Sequence, residues 1–245
     1  MAKYVLFDTE TTGTTEHDRV IQFGSMIIDQ DGSVEVFNEF CDPKVEISIG
    51  AMSVHNITPD LIIGKPLPVE TGFYKRLDEL NSNENYLIAH NISFDLDMIK
   101  REGFVNQYQL IDTLRCSRHI IESQSHGLQF LRYGLGLYLN EAEEAAKHNI
   151  VIKAHDAIGD VLVMKLFLSK LVSECKAKYP GVNPMAKLVE LTKTPVLVKV
   201  FKFGKHKDKE IAEVAKTDAG YLNWMLSNME MDEDLRFSVN YYLGN

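Results

Sequence analysis

Asp8 and Glu10 stand two residues apart where the apolar run Tyr4-Val5-Leu6-Phe7 meets Thr11-Thr12-Gly13. In an extended segment, side chains at i and i+2 point to the same face, so both carboxylates are expected on one side. Two like charges held that way repel, at a cost that a cation between them removes. Oxygen-only donors suit a hard divalent cation. Alone, the pair fits a solvated strand end equally well. Asp95 closes the stretch Ala89-His90-Asn91-Ile92-Ser93-Phe94-Asp95, which reads as a strand-to-helix junction. A carboxylate in the first turn of a helix often serves only the helix dipole, and that is the reading given to Asp97. Further on, His155 and Asp160 open an apolar helical run. A spacing of five does not put two side chains on one helical face, but it suits a histidine in the lead-in loop and an aspartate in the first turn. Asp156, immediately before that run, fits an N-cap. Taken singly, each of these residues has a structural explanation as good as a catalytic one.

The elements that must position these residues follow from the apolar pattern. Tyr4 to Phe7 is continuously apolar, as in a strand buried on both faces. Residues 19–29 and 33–40 are rich in Val, Ile and Phe, and Asp29-Gln30-Asp31-Gly32 between them is turn chemistry, which predicts an antiparallel hairpin. Val69, Phe73, Leu77 and Leu80 share a helical face. Short strands are expected at 86–89 and 108–111, and helices at about 93–102, after His126-Gly127, and over 157–172. Hairpin strands first and strand–helix alternation afterwards predict an α/β fold, a mixed five-stranded sheet flanked by helices. The run Glu141 to Lys147 reads as the solvated face of a helix. Residues 178–195 are turn-rich, with Pro180-Gly181, Pro184 and Pro195, and read as a linker. The chain therefore divides into a main domain, 1–177, and a small C-terminal domain, 196–245.

Composition narrows the class of protein. With 245 residues, 45% apolar and 25% charged, the chain is an ordinary globular one and neither fibrous nor disordered. It holds no apolar stretch of the ~18 residues a spanning helix needs, and no membrane partner is expected. The N-terminus lacks the apolar core of a signal peptide, and the cysteines Cys41, Cys116 and Cys175 are too far apart for a disulfide framework or a zinc pair. A cytoplasmic protein is expected. A net charge of −9 argues against a passive nucleic-acid binder, though not against an enzyme whose carboxylates hold cations. Gly134-Leu135-Gly136 lacks the third glycine and the preceding strand of a dinucleotide site.

Taken together, Asp8-Thr9-Glu10-Thr11-Thr12-Gly13, His90-Asn91-Ile92-Ser93-Phe94-Asp95, and His155 with Asp160 resemble the three motifs of the DEDD superfamily of 3′→5′ exonucleases, His subclass, in order and in internal spacing. The resemblance covers roughly residues 1–172, and Asp112-Thr113-Leu114 is similar to a recurrent structural tripeptide of that family. It implies the ribonuclease H-like exonuclease fold. It also implies that Asp8, Glu10, Asp95 and Asp160 hold two Mg²⁺ or Mn²⁺ ions, with His155 as the general base. The implied reaction is hydrolysis of terminal phosphodiesters to nucleoside 5′-monophosphates. Thr9 and Thr11 would offer donors near the terminal nucleotide, and His55, in Ser53-Val54-His55-Asn56-Ile57, resembles a nucleotide-contacting His-Gly-Ile segment with Asn56 in place of the glycine.

The tail is similar to that of bacterial exonuclease X-type proteins, through Phe203-Gly204-Lys205-His206-Lys207-Asp208-Lys209 and Tyr221-Leu222-Asn223-Trp224-Met225-Leu226. This similarity favours DNA with a free 3′ end as the partner, single-stranded ahead of duplex. RNA is the alternative, and a catalytically silent tethering module the second. Between Lys199 and Lys209 five lysines stand against one aspartate, interleaved with Phe201 and Phe203. That content suits a surface that tracks a backbone and stacks on bases; a solvated basic cap is the competing reading.

Overall fold

The computed structural model describes residues 2–151 and 156–244. It divides into two compact units, Met1–Thr192 and Lys193–Asn245. The first is built on five strands, β1 (Tyr4–Thr11), β2 (Val20–Ile28), β3 (Val34–Phe40), β4 (Tyr86–Ala89) and β5 (Gln109–Asp112), in the order β3-β2-β1-β4-β5. β1, β2 and β3 form the expected antiparallel meander, whereas β4 and β5 run parallel to β1. β1 is thus the strand where the antiparallel and parallel halves meet. The first two strand connections are short enough for hairpins. Each parallel connection must cross over with helices: α1 (Ile49–His55), α2 (Pro59–Ile62) and α3 (Gly72–Glu79) before β4, then α4 (Ile92–Arg101) before β5. α5 (Thr113–Ile120), α6 (Leu128–Gly134), α7 (Glu141–His148), α8 (Ala157–Lys178) and α9 (Pro184–Lys193) follow.

Strand alternation sorts the sheet's side chains into two cores. Val5 and Phe7 of β1 join Phe23, Ile27, Leu87 and Phe73 with α4 on one face. Leu6 joins Met26, Ile88 and Ile111 under α8 on the other, with Val161, Leu162 and Phe167. β1 runs further than its apolar start suggests, through to Thr11, because the segment stays paired with β2. Asp8 and Glu10 therefore lie within the strand and share the parity of Leu6, on the face covered by α8. A register shift between Glu10 and Thr11 ends the regular pairing, the local kink expected of a bulge.

The expected linker at 178–195 needs correction. Pro184 stands at a helix start, where its missing N–H costs nothing, and the ten residues that begin with it form α9 rather than a loop. Leu188 and Leu191 are buried in the core under α8. The Cys116 thiol donates to the Leu188 carbonyl (3.3 Å), and the Asp112 N–H donates to the Thr192 hydroxyl (2.9 Å). The second unit holds α10 (Ile211–Thr217), α11 (Ala219–Asn228) and α12 (Glu233–Leu243), packed around Phe201, Leu222, Met225 and Val239. Among the described residues no helix is long and apolar enough to cross a membrane.

Candidate active site

Carboxylates converge at the carboxyl ends of β1 and β4, the place where open α/β sheets bind ligands. β1 supplies Asp8 and Glu10, both half-buried. Asp95 comes from the first turn of α4 and is 3% exposed. It is delivered there by Asn91, whose φ of 75° makes a tight turn between β4 and α4 that asparagine tolerates better than most residues. That turn is fixed by the Asn91 N–H donating to Asp112 Oδ1 (3.1 Å). The same oxygen caps α5 by accepting from the Leu114 and Arg115 N–H groups. Asp112 is therefore structural, as its tripeptide implies. His90 sits in the same junction, with Nε2 on the His126 carbonyl and Nδ1 on the Thr113 hydroxyl, both at 2.9 Å.

α8 brings the fourth carboxylate, Asp160, by an unusually close approach to the sheet. Gly24 of β2 pairs with Asp8 in the register. A Cβ built at Gly24 would lie 2.3 Å from the Ala157 carbonyl carbon and 2.4 Å from the Ile158 nitrogen, so the helix start rests directly on backbone. Gln22, beside Glu10 in the register, donates through Nε2 to Asp156 Oδ1 (2.5 Å) and to Asn38 Oδ1 (2.8 Å). Asp156 does hold the N-cap position of α8, and its carbonyl accepts from the Gly159 and Asp160 N–H groups. Its side chain, however, makes no cap bond within the helix and is held by Gln22 instead. Asp160 Oδ1 accepts from Gln129 Nε2 at 2.6 Å. Gln129 Oε1 in turn accepts from Arg132 (3.0 Å), whose guanidinium forks onto the buried Glu141. The run 141–147 is thus not wholly a solvated face, since Glu141 is 4% exposed.

The electrostatics are those of like charges pressed together. Burial first, then the negative charges of Asp95, Asp160 and Glu10, push Asp8 well above the usual carboxylate range. Burial, then Asp160, Asp95 and Asp156, push Glu10 up to about 8. Burial raises Asp95 to about 7 against two hydrogen bonds from Thr9 that favour its ionised form. Such a set is relieved either by protons or by a cation. Its all-oxygen donor chemistry fits a hard divalent ion, and the exonuclease chemistry implied by the motifs generally uses divalent metals. Among the described residues no group of three or more His, Cys, Asp or Glu side chains is already gathered as a metal site.

The residues expected near a nucleotide are engaged inside the protein. The Thr9 N–H and hydroxyl both donate to Asp95 Oδ1, at 3.1 and 2.7 Å. The Thr11 hydroxyl donates to the Gly13 carbonyl (2.7 Å). His55 is 5% exposed at the end of α1, not on the surface. Its Nδ1 accepts from the Ile57 N–H (3.0 Å), which leaves Nε2 to donate to the Thr11 carbonyl (3.1 Å). Burial lowers its pKa, the Thr11 bond opposing. Asp97 pairs with Arg101 one turn along α4. His155 lies outside the described residues. Gly24, Gln22, Gln129, Arg132 and Glu141 are the supporting residues that pattern reading missed. Of these only Gly24 carried a signal, an isolated glycine inside a strand pattern.

Residues 5–167 match the family model described as Exonuclease, and residues 201–230 match the Exodeoxyribonuclease X-like C-terminal model. Exodeoxyribonuclease 10 of Escherichia coli (strain K12) is 24% identical over 245 residues, 98% of each chain. A PolC-type DNA polymerase III of Staphylococcus aureus is 31% identical over 153 residues, which are 59% of this chain and 10% of that protein. Among solved structures, exonuclease X in complex with 5′ overhanging duplex DNA superposes with a TM-score of 0.55 at 19% identity, over 76% of this chain and 99% of that one. E. coli exonuclease I in complex with a dA16 oligonucleotide gives 0.54 at 22% identity, over 78% of this chain and 42% of that one. These likenesses establish the fold as the ribonuclease H-like exonuclease fold.

Proposed function

The chain belongs to the exonuclease family, and from that premise we propose that it hydrolyses the terminal phosphodiester of DNA in the 3′→5′ direction, releasing nucleoside 5′-monophosphates. The observation that carries this reading is the carboxylate cluster itself. Asp8 and Glu10 are raised by burial and then by neighbouring carboxylates, Asp95 and Asp160 among them, Asp95 is raised mainly by its own burial, and Asp160 is fastened beside them through Gln129. A catalytically silent fold gains nothing from keeping such a cluster. Asp8, Glu10, Asp95 and Asp160 would hold two divalent cations, Mg²⁺ or Mn²⁺, which when bound neutralise the phosphate and ease ionisation of water.

The protein's own groups do the rest. His155 accepts, at a ring nitrogen, the proton that water loses as its oxygen attacks phosphorus. An imidazole with an ordinary pKa of ~6.5 is matched to that task near neutral pH. The P–O3′ bond breaks, and the shortened strand's O3′ takes a proton from solvent water to leave as a free 3′-hydroxyl. Thr9, Thr11 and His55 serve by holding the carboxylate frame, since their hydroxyls and ring nitrogens already have partners. The catalytic domain is Met1–Thr192, and Lys193–Asn245 is an exonuclease X-type accessory domain. The three cysteines, all buried and unpaired, accord with a reducing cytoplasm.

The test is digestion of end-labelled single-stranded DNA, duplex DNA and RNA side by side, with Mg²⁺ and with EDTA. Stepwise shortening of DNA from the 3′ end to 5′-mononucleotides, abolished by EDTA, is expected. Faster digestion of RNA would transfer the substrate to RNA. No digestion of any strand would leave the silent module.

A further inference from the structure

We propose that the second unit binds single-stranded DNA on one face, where its bases stack on Trp224 and Phe203 and its phosphates meet the lysines of the loop 199–209. The proposal rests on DNA being the substrate, and extends that reading to a second, non-catalytic contact. α11 presents Leu222 and Met225 to the small core. Tyr221 and Trp224, three residues apart on another face of the helix, stack at 6.0 Å with an interplanar angle of 24°. Trp224 is left 51% exposed, an expensive position for the largest apolar side chain unless something covers it.

The basic loop is tied to that same aromatic pair. Phe201 is not part of the surface, as its sequence setting suggested. It is 1% exposed and anchors the loop from beneath, while Phe203 stands 43% exposed. Phe201 edges onto both Phe203 (6.5 Å) and Tyr221 (6.4 Å). His206 is a second anchor, its ring 4.9 Å from Tyr221 and its Nε2 at 2.9 Å from Asp218 Oδ2. Gly204, with a φ of 73°, turns the loop so tightly over Tyr221 that a Cβ there would lie 2.9 Å from the tyrosine oxygen. With Phe201 and His206 inward, Lys202, Lys205, Lys207 and Lys209 are exposed. Lys205 lies 5.7 Å from the centre of the Tyr221 ring and pairs with Asp218 at 2.7 Å, so Lys202, Lys207 and Lys209 are the lysines that face a strand. Rings that offer open faces beside a row of ammonium groups suit a polyanion with flat, unpaired bases. A duplex has no free base faces to offer, which selects the single strand.

The chain has one tryptophan, so its intrinsic emission reports on Trp224 alone. Full-length protein in EDTA, where the strand is not cut, should show saturable quenching on titration with oligo-dT of twenty nucleotides. Anisotropy of the labelled strand should give the same midpoint. Trp224→Ala should weaken binding about fivefold or more, the scale of one lost stack, and Trp224→Phe should restore most of it. Lys202→Gln with Lys207→Gln should flatten the log–log salt dependence by about 1.4, at about 0.7 per contact on single strands. Emission that stays flat while anisotropy saturates would overturn the proposal. So would variants that bind like the parent, or oligo-rU binding tenfold tighter than oligo-dT. Hydrolysis of a dinucleotide with Mg²⁺ is read separately. Quenching without hydrolysis would remove the catalytic reading alone, and hydrolysis without quenching this proposal alone.

Discussion

Gly24→Ala should separate the placement of Asp160 from the chemistry it serves. The new Cβ would meet the Ala157 carbonyl carbon at 2.3 Å, where ordinary contact begins at 3.4 Å. The start of α8 must therefore retreat by about 1.1 Å, the difference of those distances. The obstacle is backbone, so no side-chain rotation can absorb it. Asp160 sits three residues beyond Ala157 in the same helix and moves with it, away from Asp8, which pairs with Gly24 in the register. Overpacking of this kind costs about 1–3 kcal/mol, and on a chain of this size about 2–4 °C of Tm per kcal/mol. A misplacement of ~1 Å at a catalytic group costs about 10²-fold in rate. Mononucleotide release from single-stranded DNA should fall by that factor in kcat with little change in KM, while the melting temperature drops by several degrees. Gly50→Ala is the control, because its nearest foreign atom is 3.9 Å away; it should leave both quantities near the parent's. A Gly24→Ala protein with kcat within twofold of the parent would refute the claim that the helix–strand contact sets the position of Asp160.

Four further outcomes are expected. Glu10 and Asp95 hold their protons up to about 8 and about 7, above their values in an unfolded chain, so the metal-free fold loses stability as pH rises from about 4.5. Added Mg²⁺ should raise Tm at pH 8 far more than at pH 5, and equal shifts at both would deny a metal role to these groups. Asp8→Asn should abolish turnover yet raise the metal-free Tm at pH 8, and His155→Ala should slow turnover by about 10²–10⁴-fold, both read by product release and calorimetry. Gln129→Ala should lower the Mg²⁺ affinity measured by calorimetric titration, because Asp160 loses the bond that positions it; unchanged affinity would make the Glu141–Arg132–Gln129 chain merely structural.

The legible part of this protein is the part written in short range. Alternation and turn chemistry give the β1–β3 meander because each residue's face depends only on its neighbours, and the three motifs are each contained within seven residues. What was missed lies at long range. Residues 184–193 carry apolar positions that read as a linker because Pro184 and the preceding turns dominate the local signal. Only the core built by Cys116 and α8, in which Leu188 and Leu191 are buried, makes a helix worthwhile there. Arg132 and Glu141 look like surface charges until the fold brings them behind Gln129. Phe201 and Phe203 are equivalent in the sequence and opposite in the structure, since the turn at Gly204 sends one inward and the other out.

Thr9, Thr11 and His55, expected near a nucleotide, each make hydrogen bonds within the protein. In β1 the even positions, Asp8 and Glu10, face α8, so the odd positions, Thr9 and Thr11, must face α1 and α4. There they meet buried acceptors. Asp95 is almost wholly buried, and an ionised carboxylate so placed needs donors; Thr9 supplies two from one residue. His55 Nε2 satisfies the Thr11 carbonyl at the end of β1, while its unprotonated Nδ1 accepts from the Ile57 N–H. The threonines and the histidine thus answer a problem that the carboxylates create. Thr9→Val, isosteric but without the hydroxyl, removes the 2.7 Å bond and keeps the backbone one. If holding Asp95 is its role, the variant should weaken metal binding while leaving KM for the strand unchanged. A rise in KM with metal affinity intact would return Thr9 to the substrate.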